Sequence, residues 1–437
     1  MIMEILWYST AVFSVWGSSL GGISVPFFGL LYPYRVLVAV LLIVVMVKSK
    51  KADGLFGRHM LFTILPVLAY MILHSIVSLL WAQDQIRTVK AILNYFFVAA
   101  FLILFFRFAK DRKSLNRLLI AVSINMVAIL LVGVFESFSN IYLFCDPAGV
   151  DVSSRLNAYG LSFPVVCFTN PNDFAFVLSL SSPLMLYVLD ESLELKRWLR
   201  VTGKILVIAL TFFVTMQTSS RLGYIVYFLI MGIYLLMQLR KSCIEAVFLL
   251  SLATTLVMTA AGIVKIDFRP KPAVASPVKV SEPITAISQE DESSQIRLAL
   301  LQQGLLVTRD TWGLGAGAKN SPKFMARYQN AETKGIVDYH FFYMELLADY
   351  GVIPLLLFLC FQAGAFLSAI TILRRQPENR WMALLCLPGV VGFTLASANC
   401  SSSMFIYMMW FQFALWSLPL RETAGKLLLQ RKPGRLL

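Results

Sequence analysis

Residues 352–373 read VIPLLLFLCFQAGAFLSAITIL, a run without one charged side chain that is followed directly by Arg374 and Arg375. An α-helix needs about 20 mostly apolar residues to cross the hydrocarbon core of a bilayer. A soluble protein has no use for so long an apolar surface. The run therefore predicts a membrane-spanning helix that ends at a basic loop.

The same pattern extends over the whole chain of 437 residues, of which 58% are hydrophobic and only 14% are charged, with a mean hydropathy of +0.74. We predict an all-α, polytopic membrane bundle with about twelve transmembrane helices. The predicted spans are Ile5–Leu20, Leu31–Val47, Leu61–Trp81, Ile92–Phe108, Leu118–Phe138, Phe174–Leu189, Ile205–Met216, Leu222–Met237, Ile244–Val264, Met344–Leu373, Trp381–Ala398 and Met404–Leu418.

Basic residues alternate with these spans and fall on one side. Six clusters carry them, around Lys50, Lys113, Arg197, Arg240, Arg374 and Arg431. The positive-inside rule makes that side cytoplasmic and places both termini there. The net charge of +14 is therefore a topology signal, and nucleic acid is not an expected partner. The apolar N-terminus lacks a basic leader and is interpreted as the first span, not as a cleaved signal peptide.

The chain is expected to form a single integral membrane domain, residues 1–437, with one long polar loop outside the cytoplasm, residues 265–340. Within that loop, Ser294–Val307 has the pattern of an amphipathic helix that lies on the membrane or covers the bundle. Cys145 and Cys167 share another outer loop, where a disulfide and two free thiols are both open.

Three side chains in the predicted outer segments have chemistry worth weighing. Arg221 opens a span after a very short connection, Arg297 lies early in the amphipathic helix, and His340 ends the long loop. Taken singly, the two arginines have plain interpretations, a headgroup-facing Arg for Arg221 and a polar-face Arg for Arg297. Of the three histidines in the chain, His59 and His74 are interpreted as packing residues. A histidine is also a natural general base, because its unperturbed pKa lies near 6.5.

Two loop motifs accompany them. Gly313-Leu314-Gly315-Ala316-Gly317 allows tight turns or a close backbone approach to a ligand, and it is not a dinucleotide fingerprint. Asn170-Pro171-Asn172-Asp173 has the residues that favour the start of a helix. A role in binding is open for both, next to a purely local one.

As an ordered set, these motifs resemble the bacterial O-antigen ligase and O-antigen or capsular polysaccharide polymerase family. The resemblance rests on Thr218-x-Ser220-Arg221, on Arg297 followed by the glycine run, and on His340 just ahead of Glu345–Gly351. The chain departs from the family pattern around His340, where Tyr339 and Phe341 stand in place of the common Ala and Asn.

The resemblance implies a metal-independent, inverting glycosyltransferase of the bacterial cytoplasmic membrane, active in lipopolysaccharide or capsule biosynthesis. It implies no cofactor, a donor glycan on undecaprenyl diphosphate, and a glycan or lipid acceptor. Arg221 and Arg297 would hold the diphosphate, and His340 would accept the proton of the attacking hydroxyl. Residues expected to contact diphosphate or glycan are Arg35, Asn172, Gly315, Gly317 and Glu345.

Three alternatives stay open within these observations. Inside the family, a polymerase is slightly preferred over a ligase, because no recognition element for a second class of acceptor is visible. Outside it, a twelve-helix secondary transporter or a flippase for lipid-linked oligosaccharides would place ionisable residues deep in the spans. Glu136 and Arg107 instead lie near segment ends. A membrane scaffold without activity is the third possibility.

Overall fold

The computed structural model describes residues 2–17, 19–25, 29–48, 58–145, 161–168, 170–238, 285–328, 333, 336–398, 400, 404 and 406–430. The helices in these ranges are α1 (Ile2–Trp16), α2 (Pro33–Lys48), α3 (Leu65–Ser78), α4 (Gln85–Phe108), α5 (Arg112–Ser139), α6 (Pro171–Tyr187), α7 (Arg197–Gln217), α8 (Arg221–Gln238), α9 (Thr285–Asp310), α10 (Ser321–Met325), α11 (Phe342–Tyr350), α12 (Val352–Arg375), α13 (Arg380–Ser397) and α14 (Tyr407–Gln430).

The helices begin where the chain supplies side-chain caps. Asp84 accepts the backbone N–H of Arg87 at 3.0 Å at the start of α4, and Asp111 accepts that of Ser114 at 2.8 Å at the start of α5. Asn140 ends α5 in the left-handed conformation. These caps satisfy backbone groups that the helix termini leave unpaired, so local sequence fixes where several spans start and stop.

One small departure from an all-α fold occurs in the connection between α1 and α2. There β1 (Ile23–Val25) pairs with β2 (Gly29–Leu31) as an antiparallel hairpin, with Ile23 opposite Leu31. Gly21 precedes it at φ +82°. The first and second helices are therefore joined by a short ribbon and not by a bare loop.

Six helical segments of the described chain are long and apolar enough to cross a membrane. They are Gln85–Phe108, Arg112–Ser139, Pro171–Ser192, Arg197–Gln217, Val352–Arg375 and Pro377–Ser397. Shorter apolar helices occupy Ile2–Trp16, Leu65–Ser78 and Leu222–Gln238. The membrane bundle is thus confirmed, whereas the number twelve stays a prediction. The predicted span Ile244–Val264 lies outside the described residues.

The predicted span Met344–Leu373 is wrong as a single helix. α11 ends at Tyr350, Gly351 takes φ +87°, and α12 starts at Val352. A hypothetical β-carbon on Gly351 would lie 2.3 Å from the carbonyl oxygen of Gly313, so only glycine fits this break. Hydropathy does not locate the break, because Glu345 and Asp349 make the run less apolar without showing where a helix ends.

Two hydrophobic clusters hold the described part of the chain together. The larger one fills the space between the spans, with side chains such as Trp7, Phe101 and Trp416 fully buried. The smaller one, which we call the cap cluster, joins α9, α10 and α11. Its buried members are Leu300, Val307, Ala316, Phe324, Met325, Tyr339, Met344 and Ala348. The segment Ser294–Val307, which has the amphipathic pattern, lies within α9, and its residues Leu300 and Val307 pack on protein in this cluster.

A polar network ties α6, α7 and α8 together at the end where α6 stops. Asp190 lies in the π-helical turn Val188–Ser192 that continues α6, and Lys204 Nζ approaches its Oδ1 at 2.8 Å. Tyr234 and Gln238 of α8 donate to Asp190 Oδ2 at 3.2 and 3.3 Å. Buried charge is costly, and this pairing offsets it.

Cys145 and Cys167 are both free thiols in this structure. Cys145 donates to the carbonyl of Phe168 at 3.1 Å, and Cys167 lies 3.7 Å from the carbonyl of Val15. Of the two possibilities that the sequence leaves open, the structure has the unpaired one.

Candidate active site

α6 and α8 begin side by side. A β-carbon built on Gly223, in the first turn of α8, would stand 3.0 Å from the β-carbon of Ala175 in α6. Glycine thus lets the two helix starts approach closely. We call this end of the bundle, where α6 and α8 begin and α13 ends, the upper end.

Arg221 is the first residue of α8. Ser219 before it adopts φ +53°, and Ser220 caps the helix by accepting the backbone N–H of Gly223 at 3.2 Å on its hydroxyl. The sequence Ser-Ser-Arg therefore makes a turn and a cap, and it fixes the backbone of Arg221 at the upper end. The Arg221 side chain lies outside the part of the chain that the structure describes.

Arg297 extends from α9 to the end of α13. Its Nη1 lies 3.5 Å from the carbonyl oxygen of Ala398, which directly follows α13. Burial lowers the pKa of the guanidinium, yet an arginine keeps its charge in a protein at neutral pH. A half-buried cation therefore stands at the upper end, where desolvation strengthens its attraction for an anion.

His340 stands one residue before the N-cap of α11 and is half-buried. Its backbone takes φ +52°, in the left-handed region that non-glycine residues adopt only when their surroundings impose it. Tyr339 directly before it and Phe342 two residues after it are buried, at 3% and 1% exposure, and hold the segment on both sides of His340.

α9 packs directly on the segment that carries His340. A β-carbon on Gly304 would lie 2.9 Å from Tyr339 Cε1 and 2.5 Å from Met344 Sδ. Arg297 is seven residues before Gly304, which is about two helical turns, so both residues lie on the same face of α9. The face of α9 that carries Arg297 therefore packs against the residues on either side of His340.

Glu345 forms an acidic centre in the first turns of α11, outside the candidate spans. Burial raises the pKa of its carboxyl to about 8. The positive charge of Lys319 lowers this pKa, whereas the negative charges of Asp349 and Asp338 raise it. Its Oε2 has no hydrogen-bond partner among the described residues. A carboxyl with such a pKa is largely protonated at neutral pH and offers both a donor and an acceptor.

Lys319 and Asp349 link this centre to the neighbouring loop. Burial raises the pKa of Asp349, while the charge of Lys319 opposes that rise. Asp349 Oδ1 accepts the backbone N–H of Ser321 at 2.9 Å and so holds the start of α10 against α11. Asp173, in the first turn of α6, also acts on the pKa of Glu345, which places α6 near the same centre.

The glycine run wraps around the break between α11 and α12. Gly315 and Gly317 adopt φ of +86° and +95°, and a β-carbon on Gly315 would lie 2.6 Å from the Asp349 carbonyl oxygen. The N–H of Gly317 donates to that oxygen at 3.0 Å. This close packing accounts for the glycines by itself, and their contact with substrate stays a prediction.

Residues of α3 and of the connection from α3 to α4 also fasten this loop. His74 Nε2 lies 2.7 Å from the Leu314 carbonyl oxygen, and Trp81 donates to the Gly315 carbonyl at 3.1 Å. Asn320 Oδ1 accepts the backbone N–H of Asp84 at 2.7 Å. The loop is therefore a fixed part of the structure, held in place before any ligand arrives.

The two remaining predicted residues lie at different places at the upper end. Asn172 is in the first turn of α6, where its N–H donates to Asn170 Oδ1 at 2.8 Å, and so it adjoins Asp173. Arg35 is the third residue of α2 and is placed against α4, where its Nη2 donates to Asn94 Oδ1 at 3.2 Å.

Sequence reasoning missed Lys319 and Asp173 as members of the acidic centre. A signal existed for Lys319, since it is the first charged residue after the glycine run. No local pattern distinguishes Asp173 from an ordinary first-turn carboxylate that favours the helix dipole. Its nearness to Glu345 arises only from the packing of distant segments.

Comparison with known proteins confirms the family resemblance. Residues 206–359 match the family model described as O-Antigen ligase, and this range contains Arg221, Arg297 and His340. The chain is also similar to the teichuronic acid biosynthesis protein TuaE of Bacillus subtilis (strain 168). The two are 23% identical over 361 residues, which cover 80% of this chain and 70% of that protein.

Proposed function

We propose that this protein is a membrane glycosyltransferase of surface polysaccharide biosynthesis, which polymerises or ligates glycans carried on undecaprenyl diphosphate. One observation carries the proposal. α9, which bears Arg297, is seated on the segment that presents His340, at the end of the bundle where the backbone of Arg221 begins α8. The family match over residues 206–359 and the similarity to a teichuronic acid biosynthesis protein support the substrate class.

In this proposal the upper end faces away from the cytoplasm. The basic clusters at the opposite ends of the spans favour that orientation by the positive-inside rule. Diphosphates of lipid-linked glycans lie at the outer membrane surface after translocation. A cation at the upper end would therefore lie at the same depth in the membrane as these diphosphates.

The chemistry is a displacement at the anomeric carbon of the donor. The oxygen of an acceptor hydroxyl attacks that carbon, the bond from the carbon to the diphosphate oxygen breaks, and the configuration inverts. His340 takes the hydroxyl proton, and the lipid diphosphate leaves with the bonding electrons. No metal is assigned a part in this transfer.

Arg221 and Arg297 would stabilise the charge that develops on the departing diphosphate. A guanidinium suits this role because its planar donors match two phosphate oxygens at once. The half-buried state of Arg297 strengthens the effect, since the surrounding protein screens charge less than water does. Asn172 and Glu345, close to the same helix starts, would bind hydroxyl groups of the glycan.

The site is tested with Arg221→Ala, Arg297→Ala and His340→Ala in a strain that lacks the chromosomal copy. We expect each variant to insert at the normal level and to make no long glycan. Arg309→Ala is the matched control, because Arg309 lies on the same helix as Arg297 but is exposed and pairs with Asp310. Full-length glycan from Arg297→Ala and His340→Ala would reject the site.

The gel pattern of the deletion strain decides between the two forms of the activity. A single repeat unit on the final lipid indicates a lost polymerase, which we slightly prefer. Accumulated long glycan on undecaprenyl diphosphate indicates a lost ligase. Ion-coupled uptake by reconstituted protein would instead support the transporter alternative.

A further inference from the structure

Two large apolar side chains are exposed at the glycine run. Trp312, directly before the run, is 91% exposed, and Leu314 within it is 59% exposed. Trp312 also takes φ +55°, a left-handed conformation that an aromatic residue adopts only where its surroundings impose it. Tryptophan is highly buried on average in soluble proteins. The pair therefore calls for an apolar surface that the described residues do not supply.

The backbone of this turn is fixed by its own hydrogen bonds. The N–H of Gly313 donates to the Thr308 carbonyl oxygen at 2.8 Å, and that of Leu314 donates to the Thr311 carbonyl oxygen at 2.9 Å. The hydroxyl of Thr311 accepts the N–H of Gly315 at 3.2 Å. A defined turn thus presents the two apolar side chains.

The turn lies beside the start of a candidate membrane span. Val352, the first residue of α12, donates its N–H to the Gly313 carbonyl oxygen at 2.9 Å. Because α13 ends at the upper end and follows α12 after a short connection, α12 begins at the upper end. Val352 and Ile353 are exposed apolar residues in the first turn of this span, where lipid contacts the protein surface. The turn therefore adjoins the boundary between hydrocarbon and headgroups.

The connection from α3 to α4 brings a second tryptophan to the same turn. Trp81 donates to the Gly315 carbonyl oxygen at 3.1 Å, and its side chain is partly exposed, as is that of Leu80 beside it. Tryptophan is enriched at the membrane interface, because its ring is apolar while its N–H needs a polar partner. Trp81 and Trp312 thus adjoin one turn at the height where α12 begins.

The turn also meets the two demands that hydrocarbon makes on a polypeptide. Residues 311–318 carry no charge, and the nearest preceding charges are paired, with Arg309 Nη2 2.9 Å from Asp310 Oδ1. The backbone groups are satisfied within the protein, since the Gly313 carbonyl accepts from Val352 and the Ala316 N–H donates to the Ala348 carbonyl at 2.8 Å. Entry into lipid therefore leaves no charge to dehydrate here.

We propose that Trp312 and Leu314 insert into the bilayer surface at the upper end and anchor the cap cluster there, with phospholipid as their partner. The bond from Ala316 to Ala348 joins the anchored turn to α11. The anchor thus sets the height of α11 above the membrane, and with it the height of the segment that carries His340. This contact with lipid goes beyond the proposed function and does not depend on the reaction.

The test uses Trp312→p-benzoylphenylalanine, a photoreactive substitution in the full chain, with the protein in phosphatidylcholine nanodiscs. Illumination should join position 312 to phospholipid acyl chains, which mass spectrometry of peptides identifies. The same substitution of Ile353 is the positive control, and that of Lys323, exposed on α10 in the cap, is the negative control. The adduct yield at Trp312 should match that at Ile353, and Lys323 should give no more adduct than protein kept in the dark.

A yield at Trp312 as low as that at Lys323 overturns the inference. Adducts of position 312 with a second copy of the chain, in place of lipid, also overturn it, because the apolar pair then serves association.

A second measurement does not need the photoreactive residue to be tolerated. Brominated phosphatidylcholine quenches the fluorescence of tryptophans that touch lipid. Trp7, Trp410 and Trp416 are fully buried, so we expect Trp312 to contribute more than an average share of the quenched signal. Trp312→Phe should therefore lose a smaller fraction of its fluorescence than the wild type does. Equal fractional quenching of the two proteins overturns the inference.

Discussion

Gly304 of α9 lies so close to Met344 of α11 that a β-carbon built on Gly304 would stand 2.5 Å from the Met344 sulfur. The contact sets the height of α9 above the segment that carries His340. The far end of a methionine is flexible, so a single methyl group is tolerated more easily than a branched side chain.

We expect Gly304→Leu to lift α9 from α11 and to reduce glycan synthesis by about tenfold or more, because overpacking costs about 1–3 kcal/mol. Gly304→Ala should have a smaller effect. Synthesis is measured per inserted protein on glycan gels. Gly232→Leu is the control, since Gly232 is a helical glycine with no atom within 4 Å of its hypothetical β-carbon. Equal activity of Gly304→Leu and Gly232→Leu would mean that the seating of α9 is irrelevant.

Gly315→Ala should destabilise the fold strongly. The substitution forces an L-residue to φ +86° and places a β-carbon 2.6 Å from the Asp349 carbonyl oxygen, which is backbone and cannot move aside. The conformation alone costs about 1–2 kcal/mol. Gly21→Ala separates the two effects, because Gly21 has φ +82° and open space around it. Thermal unfolding in detergent should show the larger loss for Gly315→Ala, and similar losses would contradict the packing account of the loop.

The buried carboxyl of Glu345 should make stability depend on pH. Its pKa is raised to about 8 in the folded protein, so the folded state holds a proton that the unfolded state releases above about pH 4.5. Burial of the ionised carboxylate therefore lowers the free energy of unfolding. This loss is absent below that pH, grows as the pH rises, and is complete above about pH 8.

Glu345→Gln removes this titration. We expect its melting temperature to exceed that of the wild type at pH 9 and the difference to shrink towards pH 5. The advantage at high pH is on the order of a few kcal/mol. A constant difference between the two proteins across this range would show that Glu345 keeps an ordinary pKa.

The ion pair between Asp190 and Lys204 is nearly buried, with side chains 11% and 4% exposed. Lys204→Met removes the nearer cation from the Asp190 carboxylate, which keeps the Arg200 guanidinium at 3.9 Å, and should cost up to about 3–5 kcal/mol. The double variant Asp190→Asn with Lys204→Met should recover most of that loss. Lys426→Met breaks an exposed pair with Glu422 and should change stability by less than about 1 kcal/mol. Equal losses from the two lysine variants would contradict this account.

Much of the membrane architecture follows from the sequence, because hydrocarbon tolerates only long apolar helices. The runs from Leu118 and Trp381 each correspond to an observed helix. The break at Gly351 does not follow, since the carboxylates Glu345 and Asp349 ahead of it do not show where the chain turns. A glycine in such a run is compatible with a straight helix, and only its contact with Gly313 shows that the chain turns there.

In the candidate site, too, the sequence reveals some residues and only the packing reveals the others. Arg297 and His340 stand out by residue type and order along the chain. The role of His74 does not, because its bond to the Leu314 carbonyl joins residues 240 positions apart. Lys319 and Asp173 likewise reach the neighbourhood of Glu345 only through packing between segments that are distant in sequence.

The separation of the cap cluster from the core of the bundle has an evolutionary consequence. Substitutions at Leu300 or Phe324 alter the covering layer, and the tight apolar fit among Phe101, Trp416 and their neighbours is left intact. Selection can therefore reshape this layer while membrane insertion is preserved. Lineages that change their surface polymers would diversify first in this layer, with the lipid-embedded scaffold inherited almost unaltered.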